Sequence, residues 1–350
     1  MSINEAVVRI ADLVKKSLST FIEIELNTSM SANSPTDSGN QAKFWHTHRY
    51  HNYNYYLQTR YGEKIRKLSI DGGFTCPNRD GSKGHGGCIY CNNDSFVPKY
   101  ITRDMSIVQQ MEASIPFMKD RYDAQKYIAY FQAYSNTYEE LESLKRMYEE
   151  AISYPGVIGL DIGTRSDCVD EPLLEYLAAL NEKVDVTVEY GIESVHDDTL
   201  QWMNRGHDYE SVIKAIDLTK SYGLEIGGHI IMGFPVETRD MMLATGLAAN
   251  DLDLDFLKIH QLHVVRGTVL AHRYEKEPFP LFQPDEYVEL IADILERLNP
   301  EIVIQRLFGE APEDILLAPK WGLNTPKLTH LMDLELKHRD TWQGKLYSES

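Results

Sequence analysis

Six apolar, strand-like runs recur from Lys64 onward, at 66–70, 126–132, 157–163, 184–193, 224–233 and 256–265. Amphipathic helical patterns separate them, near 105–120, 138–153, 171–181, 208–222 and 237–250. Strands that alternate with helices in this way predict an α/β fold with a parallel sheet. Six such units curve into an open, partial (β/α)6 barrel of the TIM type. Right-handed crossovers place the functional groups of such a barrel at the carboxyl ends of its strands.

The chain has 350 residues, enough for one barrel and extensions on both sides. The barrel is expected over 67–270, with a lead-in segment at 41–66 and a C-terminal extension at 271–350. The extension reads as a helix over 285–298, a strand over 302–307, a helix over 325–336 and a tail over 339–347. It is expected to cover the open side or mouth of the barrel. Residues 1–40 read as an appendage: an amphipathic helix over 3–26, then a Ser, Thr and Asn-rich linker over 28–40. Glu5, Asp12, Glu23 and Glu25 are unfavourable in an organelle transit signal, and no secretory signal is evident. No run of 18 uncharged apolar residues occurs, so no membrane span is expected. The few cysteines, clustered at metal spacing, point to a reducing compartment such as the cytoplasm.

The first strand leads into CPNRDGSKGHGGCIYC, residues 76–91. Cys76, Cys88 and Cys91 are three of the four cysteines, at spacing C-x11-C-x2-C. Soft thiolates select zinc or iron–sulfur clusters. A structural zinc is normally closed by four protein ligands, and a zinc knuckle here would recruit His85 or Cys168 as the fourth. Electron-transfer clusters also usually take four cysteines. A [4Fe–4S] cluster on three would leave one iron open to a substrate or cofactor. Tyr90 sits between the last two cysteines, where its ring can shield a cluster from water.

Further motifs fall at the other strand ends. Tyr134, Ser135, Asn136 and Thr137 follow the second strand, as helix caps, ligand contacts or both. The third strand ends near Arg165, Asp167 and Cys168. Cys168 reads as a fourth ligand, a reactive thiol or a small buried residue. Glu189, Glu193 and Ser194 are acceptors suited to ribose hydroxyls or an ammonium group. Arg205 is a cation suited to a carboxylate. A structural salt bridge is the alternative for Glu193 and Arg205. Gly233 lets the backbone approach a planar group. His229, His260, His263 and Arg266 belong to the last two strands, as polar contacts or packed side chains.

Thirty-five basic and 53 acidic residues give a formal net charge of −18, which disfavours non-specific nucleic-acid binding. Residues 43–67 run against that trend. Lys43, Arg49, Arg60, Lys64, Arg66 and Lys67 are interleaved there with Trp45, Tyr50, Tyr53, Tyr55, Tyr56 and Tyr61. Cations among aromatics equip a chain for phosphate contact and base stacking. The alternative is an aromatic segment packed on the end of the barrel with its charges solvated.

In combination, CPNRDGSKGHGGCIYC, YFQAYSNTY, IGTRSDC, EYGIES, NRGHD and HIIMGFPVET resemble the YhcC/YtqA-type radical S-adenosylmethionine (SAM) proteins, relatives of the Elongator catalytic subunit. The tail sequence TWQGKLY fits as well. The resemblance implies that Cys76, Cys88 and Cys91 bind a [4Fe–4S] cluster whose open iron takes the amino and carboxylate groups of SAM. An external electron donor would drive cleavage of SAM to a 5′-deoxyadenosyl radical. Tyr90, Tyr134, Ser135, Asn136, Thr137, Arg165, Glu189, Glu193, Arg205 and Gly233 would line the SAM site. The resemblance further implies tRNA wobble-uridine modification, with 43–67 as the tRNA contact. A small-molecule metabolite as substrate, or a zinc-stabilised binding module, are the competing readings. Acetyl transfer by this chain is not expected.

Overall fold

The computed structural model describes residues 45, 47–92, 101–102 and 104–348. The helix and linker expected over 3–26 and 28–40 lie outside the described residues. The chain enters through α1 (Tyr53–Tyr61), then alternates: β1 (Ile65–Ile70), α2 (Ile107–Tyr122), β2 (Lys126–Phe131), α3 (Leu141–Ile152), β3 (Val157–Thr164), α4 (Glu171–Asn181), β4 (Asp185–Glu193), α5 (Asp197–Trp202), α6 (Tyr209–Ser221), β5 (Glu225–Met232), α7 (Arg239–Asp251) and β6 (Phe256–Gln261). Then come β7 (Val264–Val265), α8 (Val269–Lys276), α9 (Pro284–Arg297), β8 (Val303–Arg306), β9 (Leu316–Ala318) and α10 (Thr325–His338).

β1 to β6 pair in sequence order, all parallel, and β8 adds a seventh parallel strand beside β6. The strand expected at 302–307 therefore extends the sheet along its open side. β1 and β8 share no ladder, so the barrel stays open. Its edges nevertheless approach each other: Lys67 Nζ on β1 donates to Gln305 Oε1 on β8 at 3.1 Å. The last expected strand, 256–265, splits. Its pairing with β5 ends at Gln261, and Val264–Val265 instead pair antiparallel with β9. The apolar run continues through the break, so periodicity cannot reveal the change of partner.

Helix starts match local chemistry. Ser106 and Gln109 form a reciprocal capping box on α2. Asp170, Asp208 and Thr238 accept from backbone amides at the starts of α4, α6 and α7. The helices bury their apolar rows against the sheet, with Leu173, Leu174, Leu177 and Leu180 of α4 among the fully covered side chains.

The segment before β1 forms the floor of the barrel. Arg60 Nη2 reaches Asp185 at 2.6 Å, and Arg60 Nη1 pairs with Glu225. Those acids are the first residues of β4 and β5. Tyr53 and Tyr56 meet the ring of Phe256, the first residue of β6, edge to face at 5.9 and 5.3 Å. Leu57 packs with Ile65 and Ile128. His51 O accepts from Ile304 N at 2.7 Å, tying the lead-in to β8. The basic–aromatic stretch thus plugs the amino ends of the strands, away from their carboxyl ends. Its charges are also engaged. Arg49 pairs with Asp340, Lys64 with Asp123, and Lys67 turns inward to Asp161 and Glu189. The described part of 43–67 packs as an aromatic segment on the end of the barrel, but with its charges paired to acids instead of solvated, and the tRNA-contact reading of it is not carried by this geometry.

Candidate active site

The loop 76–91 follows β1 over the carboxyl ends of the strands. Within it, Arg79 N and Asp80 N both donate to Cys76 O, at 2.8 and 3.1 Å, and Cys91 N donates to Cys88 O at 3.0 Å. Gly87 has φ 77°, and a Cβ there would strike the Arg79 side chain at 2.7 Å. The loop is pinned to three neighbouring strand ends. Ser135 N, after β2, donates to Thr75 O at 3.2 Å. Lys83 pairs with Asp167, after β3, at 2.9 Å. Ile89 N donates to Met203 O at 2.9 Å, and Asn204 Nδ2 to Gly87 O at 2.9 Å, both after β4.

None of the four cysteines forms a disulfide. Cys88 is buried, while Cys76 and Cys91 are partly exposed. Cys88 Sγ faces Arg205 Nη1 at 3.7 Å and Asn78 Nδ2 at 3.9 Å. Arg79 Nη2 donates to Cys91 O at 2.8 Å and acts electrostatically on Cys91 and Cys76. Arg165 acts on Cys76. Three guanidiniums therefore face three thiols, an electropositive setting that suits thiolates. Burial, then Cys88, push Cys91 up to about 11 against the pull of Arg79. A coordinated cation reverses that balance, because a coordinating thiol is deprotonated outright. Among the described residues, no three His, Cys, Asp or Glu side chains converge closely enough to hold a single metal ion. His85 is exposed and leans over Gly81. Three soft thiolate donors, with arginine and asparagine N–H groups directed at the Cys88 sulfur, fit the donor set of an iron–sulfur cluster.

Around this loop the polar groups are held in reserve. Arg165 grips Asp167 with Nε and Nη2 at 2.8 and 2.9 Å, leaving Nη1 buried without a partner. Arg205 lies 3.5 Å from Glu193 and donates to Gly191 O, while its Nε is unpartnered. Asn136 Oδ1 and Ser166 Oγ are buried and unpartnered too. Asn136 Nδ2 and Thr137 Oγ1 bind Gly163 O and Cys168 O, stitching the turn after β2 to β3. Tyr134 and Glu193 adopt positive φ, 64° and 66°, which L residues rarely accept without a reason in the site. Tyr90 packs against Phe234 at 6.1 Å and stands beside Glu193, Cys88 and Cys91.

Two expected positions differ. Glu189 is turned into the barrel lumen and fully covered. Its Oε1 binds Lys67 at 2.8 Å, and its Oε2 binds Lys258 at 2.5 Å and His229 at 3.0 Å, so neither oxygen is left for a ribose. Burial would raise its pKa, but Lys258, Lys67 and His229 hold it well below the usual carboxylate range. Gly233, φ 103°, does admit a planar group, and that group is the Phe282 ring, 3.0 Å from where a Cβ would stand. Cys168 hydrogen-bonds Asp167 at 3.7 Å, and burial followed by Asp167 pushes its thiol up to about 12.

A model of the Radical SAM superfamily matches residues 78–246, and a model of the Radical_SAM C-terminal domain matches 254–338. The uncharacterized protein YtqA of Bacillus subtilis is 36% identical over 318 residues, 91% of this chain and 97% of that protein. The chain is a radical SAM protein. It belongs with YtqA, and as a radical SAM enzyme it uses S-adenosylmethionine and a [4Fe–4S] cluster. The tRNA uridine(34) acetyltransferase of Methanocaldococcus infernus is 29% identical over 163 residues, 46% of this chain and 30% of that protein. The solved Elp3 of the same archaeon superposes with a TM-score of 0.60 at 17% identity, covering 80% of this chain and 64% of that one, which shows the shared barrel fold. Among the described residues, no helix is long and apolar enough to cross a membrane.

Several residues of this radical SAM protein escaped sequence reasoning. Asn78 and Arg79 lie inside the cysteine loop, and only their contacts reveal their work. Lys67, Asp161 and Lys258 form the lumen network with Glu189. The signal was present for Asp161 and Lys258: each is a charged residue in the middle of a largely apolar strand, where burial demands a partner.

Proposed function

We propose that Cys76, Cys88 and Cys91 hold the [4Fe–4S] cluster and leave one iron for SAM. The observation that carries this is the pinned thiol loop with arginine and asparagine donors aimed at sulfur. The cluster, when bound, supplies the electron that cleaves SAM to a 5′-deoxyadenosyl radical. Arg205 Nη1 and Asn78 Nδ2 donate toward the Cys88 sulfur and tune the cluster through those hydrogen bonds. The unpartnered Arg165 Nη1 and Arg205 Nε, with Asn136 Oδ1 and Ser166 Oγ, supply the polar contacts to SAM. Tyr90 and Phe234 wall one side and exclude water, protecting a reactive intermediate from side reactions. Anaerobic reconstitution with iron and sulfide, reduction, and assay for 5′-deoxyadenosine test the assignment. A brown protein that forms 5′-deoxyadenosine from SAM is expected. A colourless protein with one zinc and no product would sink it.

For the substrate, the proposal is a tRNA wobble uridine. The support is the similarity of 163 residues to a tRNA uridine(34) acetyltransferase. The contact surface then lies elsewhere than on 43–67, whose described cations serve the floor. Mass spectrometry of wobble nucleosides, in tRNA from cells with and without the gene, decides the point. Identical nucleoside profiles would reject tRNA as the substrate.

A further inference from the structure

The lumen of the barrel holds a second polar assembly, separate from the cysteine loop. Lys67 (β1), Asp161 (β3), Glu189 (β4), His229 (β5) and Lys258 (β6) meet there, with Tyr130 OH 2.9 Å from Lys258 Nζ. Two carboxylates match two ammonium groups. A third cation breaks the balance. Pairing between β6 and β8 runs Leu257 with Ile304, then Lys258 with Arg306, so Gln305 is an extra residue in the ladder. A bulge of this kind re-aims the side chains that follow it. Here it sets Arg306 level with Lys258, at the carboxyl end of β8.

Arg306 acts electrostatically on Lys258, His260 and Tyr130. It is exposed, and among the described residues it has no acidic partner. Beside it, His260 Nε2 and Gln305 Nε2 are buried without partners. His260 stacks on His229 at 6.2 Å. A guanidinium placed beside an ammonium group, with no acid to offset it, is a poor structural device. It is well suited to a ligand that brings the missing negative charge.

We propose that the lumen face between β6 and β8 is a subsite for an oxyanion of the substrate, a carboxylate or a phosphate. Arg306 is its counter-cation, and His260 Nε2 and Gln305 Nε2 are its hydrogen-bonding neighbours. This rests on the reading that the carboxyl end of the barrel is the reaction site, but the subsite is measurable without turnover. The reconstituted, full-length protein is heated at fixed ionic strength while chloride is exchanged for acetate or for phosphate. One of the two is expected to raise the unfolding midpoint saturably. A response to acetate alone assigns a carboxylate, and one to phosphate alone a phosphate. Arg306→Gln is expected to weaken the apparent affinity at least tenfold, Arg306→Lys to retain most of it, and Lys337→Gln, an exposed cation of α10, to leave it unchanged. Because Arg306 is exposed, R306Q is expected to fold. A ring-nitrogen shift of His260 on anion addition, seen by NMR in wild type and lost in R306Q, is the second readout. The subsite is refuted if neither anion acts, or if R306Q responds as wild type does. Formation of 5′-deoxyadenosine is scored separately, so a failed subsite and a failed cluster assignment are distinguishable.

Discussion

The two ends of the barrel are built on opposite terms. At the floor, Arg60 spans Asp185 and Glu225, Lys64 meets Asp123, and tyrosines fill the gaps beneath Phe256. At the mouth, Asn136 Oδ1, Arg165 Nη1, Ser166 Oγ and Arg205 Nε are buried without partners, and Tyr134 and Glu193 hold positive φ. An unsatisfied buried polar atom costs about 1–3 kcal/mol. A chain that pairs the charges of its floor and leaves these mouth atoms in deficit has fitted the mouth to something outside itself. Between them the lumen is intermediate: four of its charges balance, and Arg306 does not.

The sharpest way to break this contrast is at the thiols. Cys91→Ala is expected to abolish 5′-deoxyadenosine formation while the far-ultraviolet circular dichroism stays native. Arg205→Gln removes one donor to sulfur and is expected to lower the rate by roughly 10- to 100-fold, the usual effect of losing an outer-shell partner. Product formation by C91A at the wild-type rate would dissolve the distinction between mouth and floor.

Next in size is the lumen. Glu189→Ala leaves Lys67 and Lys258 buried without their shared carboxylate. Breaking a buried pair in this way costs about 3–5 kcal/mol. Denaturant unfolding of the variant should show that loss. A loss within error of zero would mean that water already screens the network.

Acid tests the same region more gently. Burial holds His263 down at about 4 in the folded chain, below the roughly 6.5 of an unfolded histidine. As pH falls through 6.5, the unfolded chain takes up a proton that the native chain refuses. Stability is therefore complete above 6.5 and is lost progressively down to 4. The slope for one such group is at most about 1.4 kcal/mol per pH unit. His263→Asn should flatten the stability–pH profile over that window by up to one proton, and an unchanged slope would show that His263 charges freely in the native state.

Much of this was legible in advance, for identifiable reasons. The strand–helix alternation exposed the parallel sheet because buried parallel strands are continuous apolar runs. The cysteine loop was legible because thiol spacing is rare and local. Glu189 was misplaced because a strand residue's face depends on register, and register is set by neighbouring strands, at Gly163 and Gly227, that lie outside any local window of sequence. The bulge at Gln305 was invisible for the same reason. The segment 43–67 misled through composition. Its cations were easy to count, but the acids that engage them, Asp123, Asp185, Glu225 and Asp340, come from distant strands and loops.

That segment supplies the smallest expected effect and the cleanest control. Arg60 is about one-third exposed, at 33% of its side chain, as are its partners Asp185 and Glu225 at 35% and 29%. Solvent screens such pairs, and each is typically worth about 0–1 kcal/mol. Arg60→Ala should therefore cost about 1 kcal/mol, including the lost contacts of its guanidinium with the Tyr56 and Tyr61 rings. It should leave 5′-deoxyadenosine formation unchanged, because Arg60 touches no mouth residue. If the tRNA substrate is bound by the mouth, salt-dependent tRNA binding should also survive in Arg60→Ala and Lys64→Ala. Loss of binding with stability intact would return the tRNA contact to the floor. The two ends of the barrel would then share one ligand, long enough to reach from one to the other.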